Sequence, residues 1–325
     1  MKFILTIDTE GDNQWDHGRT LSVENIRFVP RFQSLCEKYG IKPTYLVTSE
    51  VCRDNYAQEI FTEYSGAGRA EIGTHLHAWT TSPFMPEPGL MENDPNHAFA
   101  SELPYDLVAA KIRTITEEIT DSFGKRPTSF RSGRYGFNRR VAEVLIDNGY
   151  IVDSSVTPFV SWTSHPGLPG GEGGPDFIDS SPFPGRFDFP AGSLTEIPIT
   201  ILPTKFPLTM SLRLARYYFR NVNESYILRG LRKVFYSNQP VWLRPVPGTD
   251  IKLLGDLLDV TNALKLPFIT MMFHSSELMP GCSKYRPDNQ SVEDLFCLLD
   301  SFFAQLSLRR IGSATLSEAA SEVEL

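Results

Sequence analysis

Short apolar runs alternate with stretches of helical period along most of this chain, and that alternation restricts it to a layered α/β architecture. The first run, Phe3 to Ile7, lies at the very start of the sequence. Thr44 to Thr48, Glu71 onward into His75 and His77, Thr128 to Arg131, Tyr150 to Asp153, Val241 to Pro245 and Phe268 to His274 read as further strands. Helical spacing falls between them: Ser22 to about Tyr39, Ala57 to Tyr64, Leu107 to Phe123 ended by Gly124, Asn138 to Asn148, Ile251 to Leu264 and Val292 to Leu306. Strand–helix–strand units close with a right-handed turn and build a parallel sheet or barrel. The rhythm breaks at 158–194, rich in Pro, Gly and Ser, where a long structureless loop is expected. Two helical stretches follow, Leu208 to Phe219 and Glu224 to Tyr236. The expectation is one α/β barrel-like domain over residues 1–325, of about seven strands, carrying an insertion at about 158–240 made of a Pro/Gly-rich loop and a helical segment.

The reactive residues gather at the ends of these strands. Asp8, His75, Arg131, Asp153 and His274 each lie at or just after one, and in a barrel those ends converge on one face. Asp8, Glu10 and Asp12 crowd the first strand end, where carboxylates repel unless a cation or a shared proton relieves them. His75 and His77 are two apart, so on a strand they share a side. With a carboxylate they form a two-histidine, one-carboxylate set with room for water and substrate. Arg131 can orient a carboxylate, Gly133 and Gly136 around Tyr135 suggest a turn with exposed N–H groups, Asp153 can hold a histidine in one tautomer, and His274 suits a general acid. His17, His97 and His165 lie in loops and receive no role.

Composition narrows the classes. The net charge of -8 gives no general footprint for nucleic acid. No apolar run reaches the roughly 18 residues of a membrane span, and acidic residues follow Ile7 where the apolar core of a secretory signal would lie. Cys36, Cys52, Cys282 and Cys297 form no CxxC pair, which suits a reduced, cytoplasmic setting.

The order of these features, an acidic strand end, a histidine motif, Arg131-Ser-Gly-Arg-Tyr135-Gly, Asp153-Ser-Ser155 and a final strand-end His274, resembles the polysaccharide deacetylases of the NodB-like, carbohydrate esterase 4 type. The resemblance spans about Met1 to Leu278 apart from the insertion. It implies a distorted (β/α) barrel, a divalent metal, most often zinc, and removal of N- or O-acetyl groups from sugars. It also implies roles: Asp8 as general base, His75 as metal ligand, Arg131 tuning the base, Tyr135 lending a backbone N–H to the oxyanion, His274 as general acid and Asp153 as its partner. This chain departs from the pattern at two metal positions. Thr9 stands where the family has a second aspartate, so Glu10 or Asp12 must substitute. Trp79 stands where it has the second histidine, so His77 is the nearest replacement. The arginine motif carries an extra residue and lacks its usual proline. The chain therefore resembles a divergent branch, with Glu10, His75 and His77 as metal ligands and Trp79, Arg134 and Arg244 as substrate contacts. Trp162, Phe183 or Phe187 could stack on a sugar or simply cover the core. A cytoplasmic member would meet an acylated sugar or glycan intermediate, lipid- or nucleotide-linked, rather than finished wall polymer. The rivals are a barrel that binds glycan without catalysis and another HxH barrel hydrolase of the amidohydrolase or PHP type. The latter usually place HxH on the first strand, and here it falls on the third, after the acidic strand.

Overall fold

A computed structural model of the chain describes residues 1–325 except 13–20, 85–96, 206–207, 223, 229, 231–239 and 324–325. Its strands, in chain order, are β1 (Lys2–Thr9), β2 (Pro43–Val47), β3 (Glu71–Leu76), β4 (Ser129–Ser132), β5 (Val152–Asp153), β6 (Gly185–Phe189), β7 (Gly192–Glu196), β8 (Ile201–Leu202), β9 (Val241–Trp242), β10 (Phe268–His274) and β11 (Gly312–Ser313). The main sheet runs β10-β1-β2-β3-β4-β5-β7-β6, with β11 added beside β1. Every pairing from β10 to β7 is parallel. After Lys2 every residue of β1 is buried, as a parallel strand covered on both faces requires. Helices Val29–Lys38, Asn55–Gly66, Tyr105–Phe123, Arg139–Asp147, Ile251–Leu264 and Asn289–Leu308 supply that cover.

The sheet curls back on itself. Beyond β7, Ile197 N–H donates to Asp153 O (2.9 Å) and Ile199 N–H to Val156 O (3.1 Å). The next residue, Thr200, donates to Thr270 O (3.0 Å) on β10. A few residues thus tie the β5 side to the β10 side, and the β8–β9 pair sits over that seam, with Leu243 N–H on Thr200 O (2.8 Å). The result is a curled, mostly parallel sheet of the distorted (β/α) barrel kind.

Local differences have local causes. The helix expected from Ser22 begins as a tight turn, Glu24–Phe28, and becomes α-helical at Val29–Lys38. Pro30 has no N–H to give, so it is tolerated only in the first helical turn. Ser22 does not cap the helix; its hydroxyl donates to Asp12 (2.8 Å). The stretch 158–194 is not structureless: it contains the antiparallel hairpin β6–β7, and β7 belongs to the main sheet beside β5. Gly185-Arg-Phe-Asp-Phe189 carries the two-residue alternation of such a strand. In the helical segment, Leu212–Asn221 is α-helical, with Ser211 Oγ accepting from Leu214 N–H (3.4 Å). Much of the expected helix from Glu224 to Tyr236 lies outside the described residues, as does His17.

Candidate active site

The parallel register brings four of the five strand-end residues face to face. Asp8 pairs in register with His274 across β1–β10, and His75 with Arg131 across β3–β4. Arg131 is wholly buried and all its bonds are local: Nη1 to Asp8 Oδ1 (2.6 Å), Nε to Ser154 O (2.7 Å) and Nη2 to Ser154 Oγ (3.0 Å). Asp8 Oδ2 faces His75 Nε2 (3.9 Å) and His274 Nε2 (4.0 Å). Burial would raise the Asp8 pKa, but the Arg131 charge, with His75 and His274, outweighs it and holds the carboxyl below the usual range. Asp8 is therefore ionised, pinned at one oxygen and open at the other.

Beside it lies a cluster that could hold a metal ion: Glu10, His75 and His77, all buried, offer ligand atoms within 4.8 Å of one another. His77 Nε2 is 3.3 Å and His75 Nε2 3.8 Å from Glu10 Oε2. Donors of a tetrahedral site at about 2.0–2.1 Å from the ion sit roughly 3.3–3.4 Å apart, so the set fits a small divalent cation with little adjustment. Three further observations agree. His75 Nδ1–H donates to Arg131 O (3.0 Å), which leaves the Nε2 lone pair facing the carboxylates. Burial, the largest influence on each, pushes both histidines down to about 4, so they are neutral as ligands must be. Glu10 Oε1 is buried and accepts no hydrogen bond among the described residues. Asp12, the other candidate carboxylate, is engaged elsewhere: it accepts from Ser22 Oγ (2.8 Å), Glu24 N–H (2.8 Å) and Asn25 N–H (2.9 Å), closing the turn that follows.

On the other side of Asp8 the arrangement corrects the expected partner of His274. Glu277 Oε1 lies 3.3 Å from His274 Nδ1, and Arg244 Nη2 lies 2.9 Å from Nδ1 and 3.0 Å from Oε1. A guanidinium only donates, so Glu277 accepts from Arg244, while His274 Nδ1 accepts from Arg244 when the ring is neutral and donates to Glu277 when it is protonated. Burial would lower the His274 pKa, but Glu10 and Glu277 raise it above the ordinary value. Glu277, despite its burial, is lowered to about 2 by His274 and Arg244. Asp153 instead lies on β5, beside the β4 strand that carries Arg131. Its carboxylate accepts from Ser155 Oγ (2.7 Å) and Ser155 N–H (2.9 Å) and pairs with Glu196 across β5–β7. Glu277 and Glu196 are buried carboxylates, beside His274 and Asp153, that the sequence reading passed over. Glu277 is reached only through the tight turn Ser275–Leu278, which folds it back under the ring three residues behind it.

The three expected substrate contacts fare differently. Trp79 is covered on both faces, stacked on His77 (4.3 Å) and on His97 (4.2 Å), and is only 5% exposed, so it is a wall behind the metal cluster and not a sugar platform. Arg134 reaches away from the cluster: it donates to the main-chain oxygens of His97 and Pro166 and lies over the Phe99 ring at 4.1 Å, pinning two loops. Arg244 does stand at the site, on His274 and Glu277. Tyr135 follows Arg134 in a left-handed turn, φ 54° then 61°, and its ring stacks on Trp162 at 5.0 Å. Trp162 also donates Nε1–H to Thr157 Oγ1 (2.9 Å), and Phe187 packs edge-on against Phe137. Both cover the core.

No family model and no curated protein matches the sequence. Among solved structures, a protein of Mycobacterium smegmatis provisionally named a polysaccharide deacetylase superposes with TM-score 0.53 at 13% identity, over 99% of this chain and 89% of that one. The chain has the fold of a polysaccharide deacetylase. A 4-alpha-glucanotransferase from Thermococcus litoralis is comparably similar, with TM-score 0.55 and 12% identity, over 99% of this chain and 40% of that longer one. The fold therefore serves more than one reaction, and the reaction has to be argued from side chains.

Proposed function

We propose that this protein is a divergent metal-dependent deacetylase of the carbohydrate esterase 4 kind, hydrolysing an acyl group, most simply N-acetyl, from a sugar or glycan. The observation that carries the reading is the placement of Asp8 between a Glu10–His75–His77 ligand set and a His274–Glu277 pair. Glu10, His75 and His77 would hold a divalent cation, zinc by donor type, which would polarise the acyl carbonyl and acidify water. Asp8, kept ionised by Arg131, receives the proton of the attacking water through Oδ2. His274 in its protonated form, backed by Glu277, gives a proton from Nε2 to the departing amine or alcohol. Tyr135, in the left-handed turn, would lend a backbone N–H to the oxyanion. The substrate is an acylated sugar intermediate, free or lipid- or nucleotide-linked. A cytoplasmic setting is supported by four cysteines of which none forms a disulfide.

Acetate release from N-acetylated glucosamine oligomers, with and without added zinc, tests the reading. Asp8→Asn is expected to lower the metal-dependent rate by at least about a hundredfold, the usual worth of a positioned base. Equal rates for Asp8→Asn and wild type would remove Asp8 from the chemistry.

A further inference from the structure

Among the described residues, twelve large hydrophobic side chains are exposed, and five of them fall between Met210 and Ile227. Met210 is 73% exposed, Leu214 40%, Tyr217 62%, Tyr226 84% and Ile227 77%. Leu214 and Tyr217, three apart, share one side of the helix Leu212–Asn221, and Met210 ends the turn before it. The same helix turns Ala215, Tyr218 and Phe219 into the core, where Phe219 meets Phe159 at 5.9 Å. It is apolar on two faces, and only one is covered. Arg213, Arg216 and Arg220, also at i, i+3 and i+7, run along the edge between them. Arg220 pairs with Asp176 (3.1 Å) and Asp179 (2.7 Å), which fixes the helix on the 159–180 loop and leaves the apolar stripe outward.

Charge identifies what this face suits. From Lys205 to Leu228 the sequence holds four basic residues and a single acidic one, Glu224, in a chain whose net charge is -8. An apolar stripe with tyrosines, bordered by arginines, is the composition that lies in the headgroup layer of an anionic bilayer. Two copies meeting through this face about a two-fold axis would set arginines against arginines. No helix among the described residues is long and apolar enough to cross a membrane, so the contact lies on the surface.

We propose that the face formed by Met210, Leu214, Tyr217, Tyr226 and Ile227 with Arg213 docks this protein on an anionic lipid surface. The proposal is independent of the deacetylase reading, because docking needs neither the metal cluster nor a substrate. The helix rests on the same loop that places Trp162 on Tyr135.

The experiment is co-sedimentation of the full chain with vesicles of phosphatidylcholine alone and of phosphatidylcholine mixed with phosphatidylglycerol. Binding is expected only to the anionic vesicles, with release by added salt. Arg213→Gln should lower partitioning about fivefold, the worth of one surface arginine. The double variant Leu214→Ser, Tyr217→Ser should lose it while keeping the wild-type melting temperature, since both side chains are exposed. No binding to either vesicle, or equal binding to both, would overturn the proposal. So would a stable wild-type dimer in light scattering that Tyr217→Ser dissociates, which would give this face to a second copy.

Discussion

Glu277 determines the acid side of the candidate site. It sits 3.3 Å from His274 Nδ1 and raises that histidine against a burial that would lower it. A general acid works while protonated, so activity falls as pH rises through its pKa. Glu277→Gln removes the raising charge and should move the alkaline limb of the pH–rate profile to lower pH, with the acid limb in place. A profile that keeps its alkaline limb would exclude Glu277 as the positioning partner. At this scale the sequence was a partial guide. Asp8, His75, Arg131 and His274 stand together because strand-end residues in neighbouring parallel strands share a register, which a strand assignment alone predicts. Glu277 and the covering of Trp79 were not legible, because both depend on how a turn folds back and on which ring lies over which. Asp153 illustrates the same limit: its strand end was right, but the sheet gave its carboxylate to Ser155 and Glu196.

The elements explain how a shortened histidine spacing still makes a ligand set. β3 ends at Leu76, and His77 continues its line with the same side facing Glu10. Room for that ring depends on Gly133 after β4. A Cβ there would lie 2.6 Å from His77 Cδ2 and 2.7 Å from Leu76 O, the second a backbone atom that cannot swing away. Gly133→Ala should therefore displace His77 and weaken metal affinity about 10–100-fold, as loss of a ligand's support does; calorimetric titration with zinc would measure it, and an unchanged affinity would show that His77 is no ligand. The βα units were readable because each carries its own period. The hairpin β6–β7 was obscured by the surrounding Pro, Gly and Ser, although Arg186-Phe-Asp-Phe189 alternates and Leu194 is fully buried. The curl of the sheet at Ile197–Thr200 rests on backbone bonds between distant strands, which no local pattern encodes.

For the whole molecule, the buried Asp153–Glu196 pair links stability to pH. Burial holds both carboxyls above the ordinary range, and the Asp153 charge raises Glu196 further. The folded chain thus keeps a proton that the unfolded chain loses near pH about 4. A raised folded pKa stabilises fully below the unfolded value and progressively less as pH rises through the folded one. Thermal melts across a pH series should show wild type losing stability toward alkaline pH and Glu196→Gln losing less; parallel curves would mean the pair carries no proton. The architecture as a whole gathers one acidic strand end, one pair of histidines and His274 at the mouth of a curled sheet, and the proposed reaction would depend on an ion held by that cluster. Elemental analysis of the purified protein after reconstitution with zinc, beside the His75→Ala, His77→Ala double variant, measures that dependence. About one metal ion per chain in wild type and none in the variant is the expected result. Wild type that retains no metal, or a variant that retains it equally, would contradict the assignment of Glu10, His75 and His77 as a metal centre.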